Sequence, residues 1–141
     1  MCLTFYMITK LHSVGFEFEQ FEHICSPGVT YYYNDNEYTI GGMWDGTPCS
    51  ELEQKIAREG IWLPTEGDLV RWLELTHHDI AIQYVDSYYH GKASDEYGNI
   101  FEGSGGDLLC CLYKIIYNFV IRNRLITDVV IHKTSNENRQ Q

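Results

Sequence analysis

The sequence is short of positive charge. Ten lysines and arginines stand against 20 aspartates and glutamates, a formal net charge of −10 over 141 residues. The deficit is uneven. Residues 1–109 hold 18 acids and 5 bases, a balance of −13, whereas residues 110–141 hold 2 acids and 5 bases, a balance of +3. A surface of this sign repels a phosphate backbone and disfavours direct binding to DNA or RNA. It attracts a basic protein surface, or a cleft built to receive nucleic acid. The plainer reading of the same charge is a soluble protein kept apart from its copies.

Long apolar runs are also missing, and none approaches the length that spans a membrane. The opening "MCLTFYMITKLHSV" lacks the basic start and sustained apolar stretch of a signal peptide. Met7 offers a second start, which would make the first six residues a dispensable arm. The five cysteines (Cys2, Cys25, Cys49, Cys110, Cys111) are odd in number and follow no disulfide framework. Cys110 and Cys111 fall inside a predicted helix and read as small buried hydrophobes in a reducing, cytoplasmic compartment. No repeat, low-complexity block or long linker divides the chain. The expectation is one domain over 1–133 with a polar, disordered tail over 134–141.

What the chain does have is hydrophobic and aromatic mass, 44% and 14% of its residues, with eleven tyrosines against six phenylalanines. That suffices for a core without a disulfide or metal staple. Tyrosine couples apolar area to a polar tip and suits half-buried sheet faces. The first half reads as strand and turn. "VGFEFEQF" alternates Val14, Phe16 and Phe18 with polar partners. "SPGV" is a turn, and two tyrosine-rich runs around "NDN" form a hairpin that "DGTP" closes.

Helical signals follow. Ser50 and Glu53 have capping-box spacing, with Leu52 and Ile56 on one face and Gly60 at the end. "IWLP" reads as an extended linker. Thr65 caps a second helix whose stripe is Leu69, Val70, Trp72 and Leu73. "DIAIQYVDSYYHGKAS" is a strand pair or one bent strand, with Ile80, Ile82 and Tyr84 on one face. "DEYGN" is a turn and "IFEG" a strand. A last helix begins after Ser104, with Leu108, Leu112, Ile115 and Phe119 as one stripe and Leu109, Ile116 and Val120 widening it. "LITDVVIH" reads as a final strand. The fold class expected is α+β, a mainly antiparallel sheet with about three helices packed on it.

Chemistry is harder to find. "EGSGGD" opens the last helix, and exposed amides there could hold an anion. It lacks the lysine and serine of a phosphate loop, and Ser104 and Asp107 have the spacing to cap the helix themselves. "HHD" (His77, His78, Asp79) alternates faces on a strand, and His23 with Cys25 supplies two ligands at most, so no metal site is assigned. No motif arranges a nucleophile with a base. The carboxylate pairs Glu17/Glu19 and Asp95/Glu96 read as solvated faces. No catalytic residue and no cofactor are therefore assigned, and the reading is a binder rather than an enzyme.

Exposed aromatics beside acids make a candidate partner surface: Tyr31, Tyr33, Trp44, Asp45, Tyr88 and His90. The competing reading is a tyrosine-rich sheet packed under helices. Any anion would fall to the late cations Lys114, Arg122 and Arg124.

Two segments add a resemblance. "GIWLPTEGDLVRWLE" and "GNIFEGSGGDLLCCLYKII" resemble a pattern in small hypothetical proteins of bacteriophages and prophages. There a G-x-W-L-P-T-x-x-D-L-L-x-W-L stretch is followed by a strand, a turn and a D-A-L-Y-x-L-I helix. The matching positions are Gly60, Trp62, Leu63, Pro64, Thr65, Asp68, Leu69, Trp72 and Leu73, then Asp107, Leu109, Leu112, Tyr113 and Ile116. Cys110 and Cys111 depart from the pattern, and the tyrosine-rich first half has no counterpart in it. The resemblance implies a small α/β fold of mobile-element origin and transfers no catalytic residue. It also implies a binding role, such as an anti-defence, anti-CRISPR-like inhibitor that blocks a basic surface of a host protein. A sponge for a nucleotide signal and a small enzyme are the alternatives.

Overall fold

Two-residue turns with both residues left-handed start each sheet. In the computed structural model, which describes residues 1–17, 25–41, 50–76 and 78–122, β1 (Thr30–Tyr33) and β2 (Asn36–Thr39) flank Asn34 and Asp35, at φ 52° and 63°. Positive φ at both positions gives a turn whose twist matches that of the flanking strands, and Asn and Asp tolerate that region. The hairpin expected around "NDN" is thus present. β3 (Ile61–Leu63) pairs antiparallel with the other edge of β1, Tyr31 opposite Trp62, so the order is β2-β1-β3. "IWLP" is therefore a strand and not a linker. Its Leu63 is fully buried, and β-prone side chains beside an unpaired strand edge win over an extended connection.

The second sheet is a meander. β4 (Asp79–Val85) turns through Asp86 and Ser87, at φ 54° and 62°, into β5 (Tyr88–Ser94), and β6 (Ile100–Gly105) returns antiparallel. Asp95 closes the second turn by accepting the Asn99 side-chain N–H (2.9 Å) and the backbone N–H groups of Asn99 (2.8 Å) and Tyr97 (3.0 Å). These bonds, the Asn99 side chain foremost, hold its carboxyl below the usual aspartate value.

Among the described residues there are four helices, one more than expected. α1 (Phe5–Ser13) begins within the first six residues, read as a dispensable arm, and ends just before the stretch read as a strand. Thr4 caps it by accepting the Met7 N–H at 3.2 Å. Leu3, Ile8 and Leu11 are fully buried, and the Leu3 N–H donates to the Pro64 carbonyl at 2.8 Å. The first six residues are thus part of the core, because Leu3 and the cap lie within them. Val14 ends α1 and Gly15, at φ 103°, turns the chain so that Phe16 enters the core; the alternation expected there gives no strand at 14–17. Phe18 lies outside the described residues.

α2 (Glu51–Glu59) and α3 (Glu66–Leu75) carry the capping boxes Ser50/Glu53 and Thr65/Asp68. Leu69 and Leu73 are buried as expected, but α2 buries Ile56 and Ala57 and leaves Leu52 59% exposed. α4 runs over 108–122. Its cap is Asp107, whose Oδ1 accepts the Cys110 N–H at 2.7 Å, while Ser104 lies inside β6. The strand extends to Gly105, so the cap moves three residues beyond the position that spacing alone favoured. Of the expected stripe Leu112 and Ile115 are fully buried while Leu108 and Phe119 are half-buried, and the widening residues Leu109, Ile116 and Val120 are all buried. "DGTP", "LITDVVIH" and the tail lie outside the described residues.

One cluster of buried side chains joins all of this, from Leu3 to Val120, and the architecture is α+β with antiparallel sheets. Rings link its parts: Phe16 to Trp72 (5.3 Å between centroids), Trp72 to Phe119 (5.6 Å), and Phe119 to Phe101 (5.1 Å) and His78 (4.4 Å).

Two substitutions check these assignments. Leu3→Ala should lower stability in urea denaturation by about 3 kcal/mol, the usual cost of truncating a buried leucine. Asp107→Ala should cost about 1 kcal/mol as a lost helix cap, while Ser104→Ala leaves the helix end intact.

Candidate functional site

Strand alternation gives the second sheet two different faces. On β5, Gly91 is buried beside Cys111 and Ile115 of α4 and Ala93 is buried too, whereas Tyr88, His90 and Lys92 are exposed. On β6, Phe101, Gly103 and Gly105 turn toward the helix, and Ile100, Glu102 and Ser104 turn away. The registers align β4 with them, Gln83 opposite His90 and Ala81 opposite Lys92. The outer face therefore carries polar rows: Gln83–His90–Ser104 and Ala81–Lys92–Glu102.

These six side chains border a groove of about 460 Å³, whose floor is the backbone of Gly91 and Gly103. That volume lies in the range of small-ligand and side-chain pockets. Lys92 Nζ and Glu102 Oε1 are 3.5 Å apart, with both side chains about two-thirds exposed. An ion pair so open to water contributes little stability. Tyr88 and His90 lie 5.5 Å apart ring to ring. At the hairpin end Tyr84, Val85 and Tyr88 are exposed, and Ile100 is 55% exposed at the opposite end.

The floor is thin for a reason visible behind it. A Cβ on Gly103 would sit 2.6 Å from the Cys111 carbonyl oxygen and 2.7 Å from the Ile115 nitrogen. One on Gly91 would meet Cys111 Sγ and Ile115 Cδ1 at 2.8 Å. Helix and sheet approach closely only because both positions lack a side chain. Cys111 Sγ, in the seam, donates to the Gly103 carbonyl at 3.4 Å. Burial raises its pKa above the usual thiol value, so little reactive thiolate forms there at neutral pH.

The partner-surface residues expected from the sequence do not form one patch. Tyr88 and His90 stand on the outer face just described. Tyr31 is 1% exposed and belongs to the core, since it faces α2 and Trp62 rather than solvent. Tyr33 is half-buried in the other sheet, edge-on to Tyr38. Trp44 and Asp45 lie outside the described residues. Gln83, Glu102 and Ser104 were not anticipated. Their signal was the period-two polarity of β4 and β6, which became readable only once the Asp86–Ser87 turn fixed the register.

The cationic candidates do not converge. Lys114 is exposed on α4. Arg122 donates to Asn99 Oδ1 at 3.2 Å and lies 5.5 Å over the Phe101 ring. Eight helical positions separate the two, about 12 Å along the axis. Arg124 lies outside the described residues.

His78 is buried between Phe101 and Phe119 with Nδ1 2.9 Å from Thr76 Oγ1, while Asp79 is exposed on the outer face; His77 lies outside the described residues. Among the described residues no three His, Cys, Asp or Glu side chains gather to hold a metal, and no helix is long and apolar enough to cross a membrane. Comparison with protein-family models, curated proteins and solved structures finds no match to the chain.

The contact between helix and groove floor can be checked at neighbouring glycines. Gly103→Ala should destabilise the fold by about 2 kcal/mol, as overpacking against backbone does. Gly106→Ala, with nothing within 4 Å of the added Cβ, should be nearly neutral in the same thermal and urea unfolding measurements.

Proposed function

We propose that this chain is a non-enzymatic binding protein of phage type that acts in the host cytoplasm. In this reading it inhibits a host protein, as an anti-defence factor would, by covering a basic surface of its target. The observation that carries the reading is the outer face of the second sheet. It holds the groove, and Val85, Tyr88 and Ile100 stand exposed on the same face beyond the groove lining. It also sits in a one-sidedly acidic part of the chain. Residues 79–107 contain six acids (Asp79, Asp86, Asp95, Glu96, Glu102, Asp107) and one base, Lys92, a local charge of −5.

Aromatic anchors within a polar border are how many protein interfaces concentrate their binding energy. A field of this sign speeds encounter with a cationic partner and repels nucleic acid from the same surface. The resemblance of the Gly60–Leu73 and Asp107–Ile116 segments to phage proteins supplies the biological setting.

Expression in cells whose CRISPR system targets a plasmid is the direct assay, and transformation by the targeted plasmid should rise. Immobilised protein should also retain a basic host protein that is released near 1 M salt, where the screening length is about 3 Å. Undiminished plasmid interference together with no salt-sensitive partner overturns the proposal.

A further inference from the structure

The groove on the outer face identifies what part of a partner it receives. We propose that it takes an arginine side chain of the partner, whose guanidinium pairs with Glu102 and stacks on His90. Lys92 then acts as an internal stand-in that the incoming arginine displaces. The proposal rests on the binding-protein reading above and adds the chemistry of the contact.

Three observations carry it. First, Glu102 is the one carboxylate among the described residues lining the groove, and its ion-pair partner reaches it from the neighbouring strand at 3.5 Å through a side chain 63% exposed. An exposed ammonium on a flexible stem is held weakly and is easily displaced. Second, Tyr88 and His90 lie on the same face of β5, 5.5 Å apart ring to ring, with Ser104 directly across from His90. Positions two apart on a strand are about 6.6 Å apart. An arginine lying along β5 can therefore cover the His90 ring while its guanidinium reaches the Glu102 carboxylate. Third, Asp79 and Asp86 stand exposed on the same sheet as Glu102, with Lys92 the single base on its strands, so the field there favours a cation. Arginine suits this site better than lysine because its planar fork bonds a carboxylate twice and stacks on rings at the same time. A second copy of the chain is the poorer occupant, since its own residues 1–109 carry −13.

The test uses the whole chain and a hexa-arginine peptide, followed by amide chemical shifts and by calorimetry. The largest shifts should fall on Gln83, His90, Lys92, Glu102 and Ser104. Glu102→Gln should weaken binding about threefold, and Lys92→Met should strengthen it by a similar factor, as expected for one exposed ion pair. Lys55→Met, on the exposed side of α2, makes the same change in net charge and should have a smaller effect. Hexa-lysine should bind less tightly than hexa-arginine. Shifts spread over the acids of α2 and β2, or equal effects of Lys92→Met and Lys55→Met, overturn the proposal. The plasmid-interference assay separates this failure from that of the inhibitor reading. Inhibition unchanged by Glu102→Gln and Lys92→Met removes the arginine site and leaves the inhibitor. Peptide binding at the groove without any inhibition does the reverse.

Discussion

The contact on which the second half of the molecule depends is the seating of α4 on the paired glycines of β5 and β6. Gly91 and Gly103 are cross-strand partners, and each faces the turn of helix that runs from Cys111 to Ile115. Removing both side chains brings the helix down onto bare sheet. Leu112, Ile115 and Ile116 are then fully buried, and Cys111 donates to a strand carbonyl. Packing at this distance leaves little freedom for compensation, because backbone meets backbone. The rest of the core is organised around it. Phe101 and Phe119 meet beside the seam, and through Trp72 and Phe16 they tie in α3 and the segment that follows α1.

That seam also determines where function can reside. Once one face of the meander is committed to α4, strand alternation leaves the other face to the side chains of opposite parity. The missing Cβ atoms of Gly91 and Gly103 would point to the helix, so on the outer face these positions show backbone alone. The outer residues Gln83, His90, Lys92, Glu102 and Ser104 rise on either side of that backbone and border the groove. A three-stranded sheet with one helix behind it is a rigid platform, and rigid platforms lose less entropy when a partner binds.

Much of this was readable in the sequence, and the failures share a cause. The two capping boxes, the "NDN" hairpin, the "DEYGN" turn and the broad apolar face of the last helix all rest on local rules, and local rules sufficed. What went unread depended on distant partners. The first six residues looked like an arm because Met7 offers a second start, yet Leu3, with Ile8 and Leu11 of α1, enters a core built elsewhere. "IWLP" looked like a linker because three residues carry little pattern until β1 offers them an edge. Tyr31 and Tyr33 looked alike in sequence, yet Trp62 and α2 bury the first and leave the second half-covered. The groove was half legible: Tyr88 and His90 drew notice by type. Glu102 and Ser104 did not, because their place beside His90 is set by register across two turns.

The acidity of the chain has to be divided before it says anything about a partner. Among the described residues, four carboxylates are occupied by the chain's own backbone. Glu53 and Asp68 complete capping boxes, Asp107 caps α4, and Asp95 closes a turn. Three of those charges lie at helix N-termini, where the helix dipole offsets part of the charge. They describe folding more than recognition. Asp79, Asp86 and Glu102 are different. They stand exposed on the strands and tight turn of the second sheet, and no helix end needs them there. A net charge summed over the sequence counts both kinds alike. The structure separates them: Glu102 lies at the groove, Asp79 and Asp86 stand exposed at the two ends of β4, and Lys92 is the single base on the strands of this sheet.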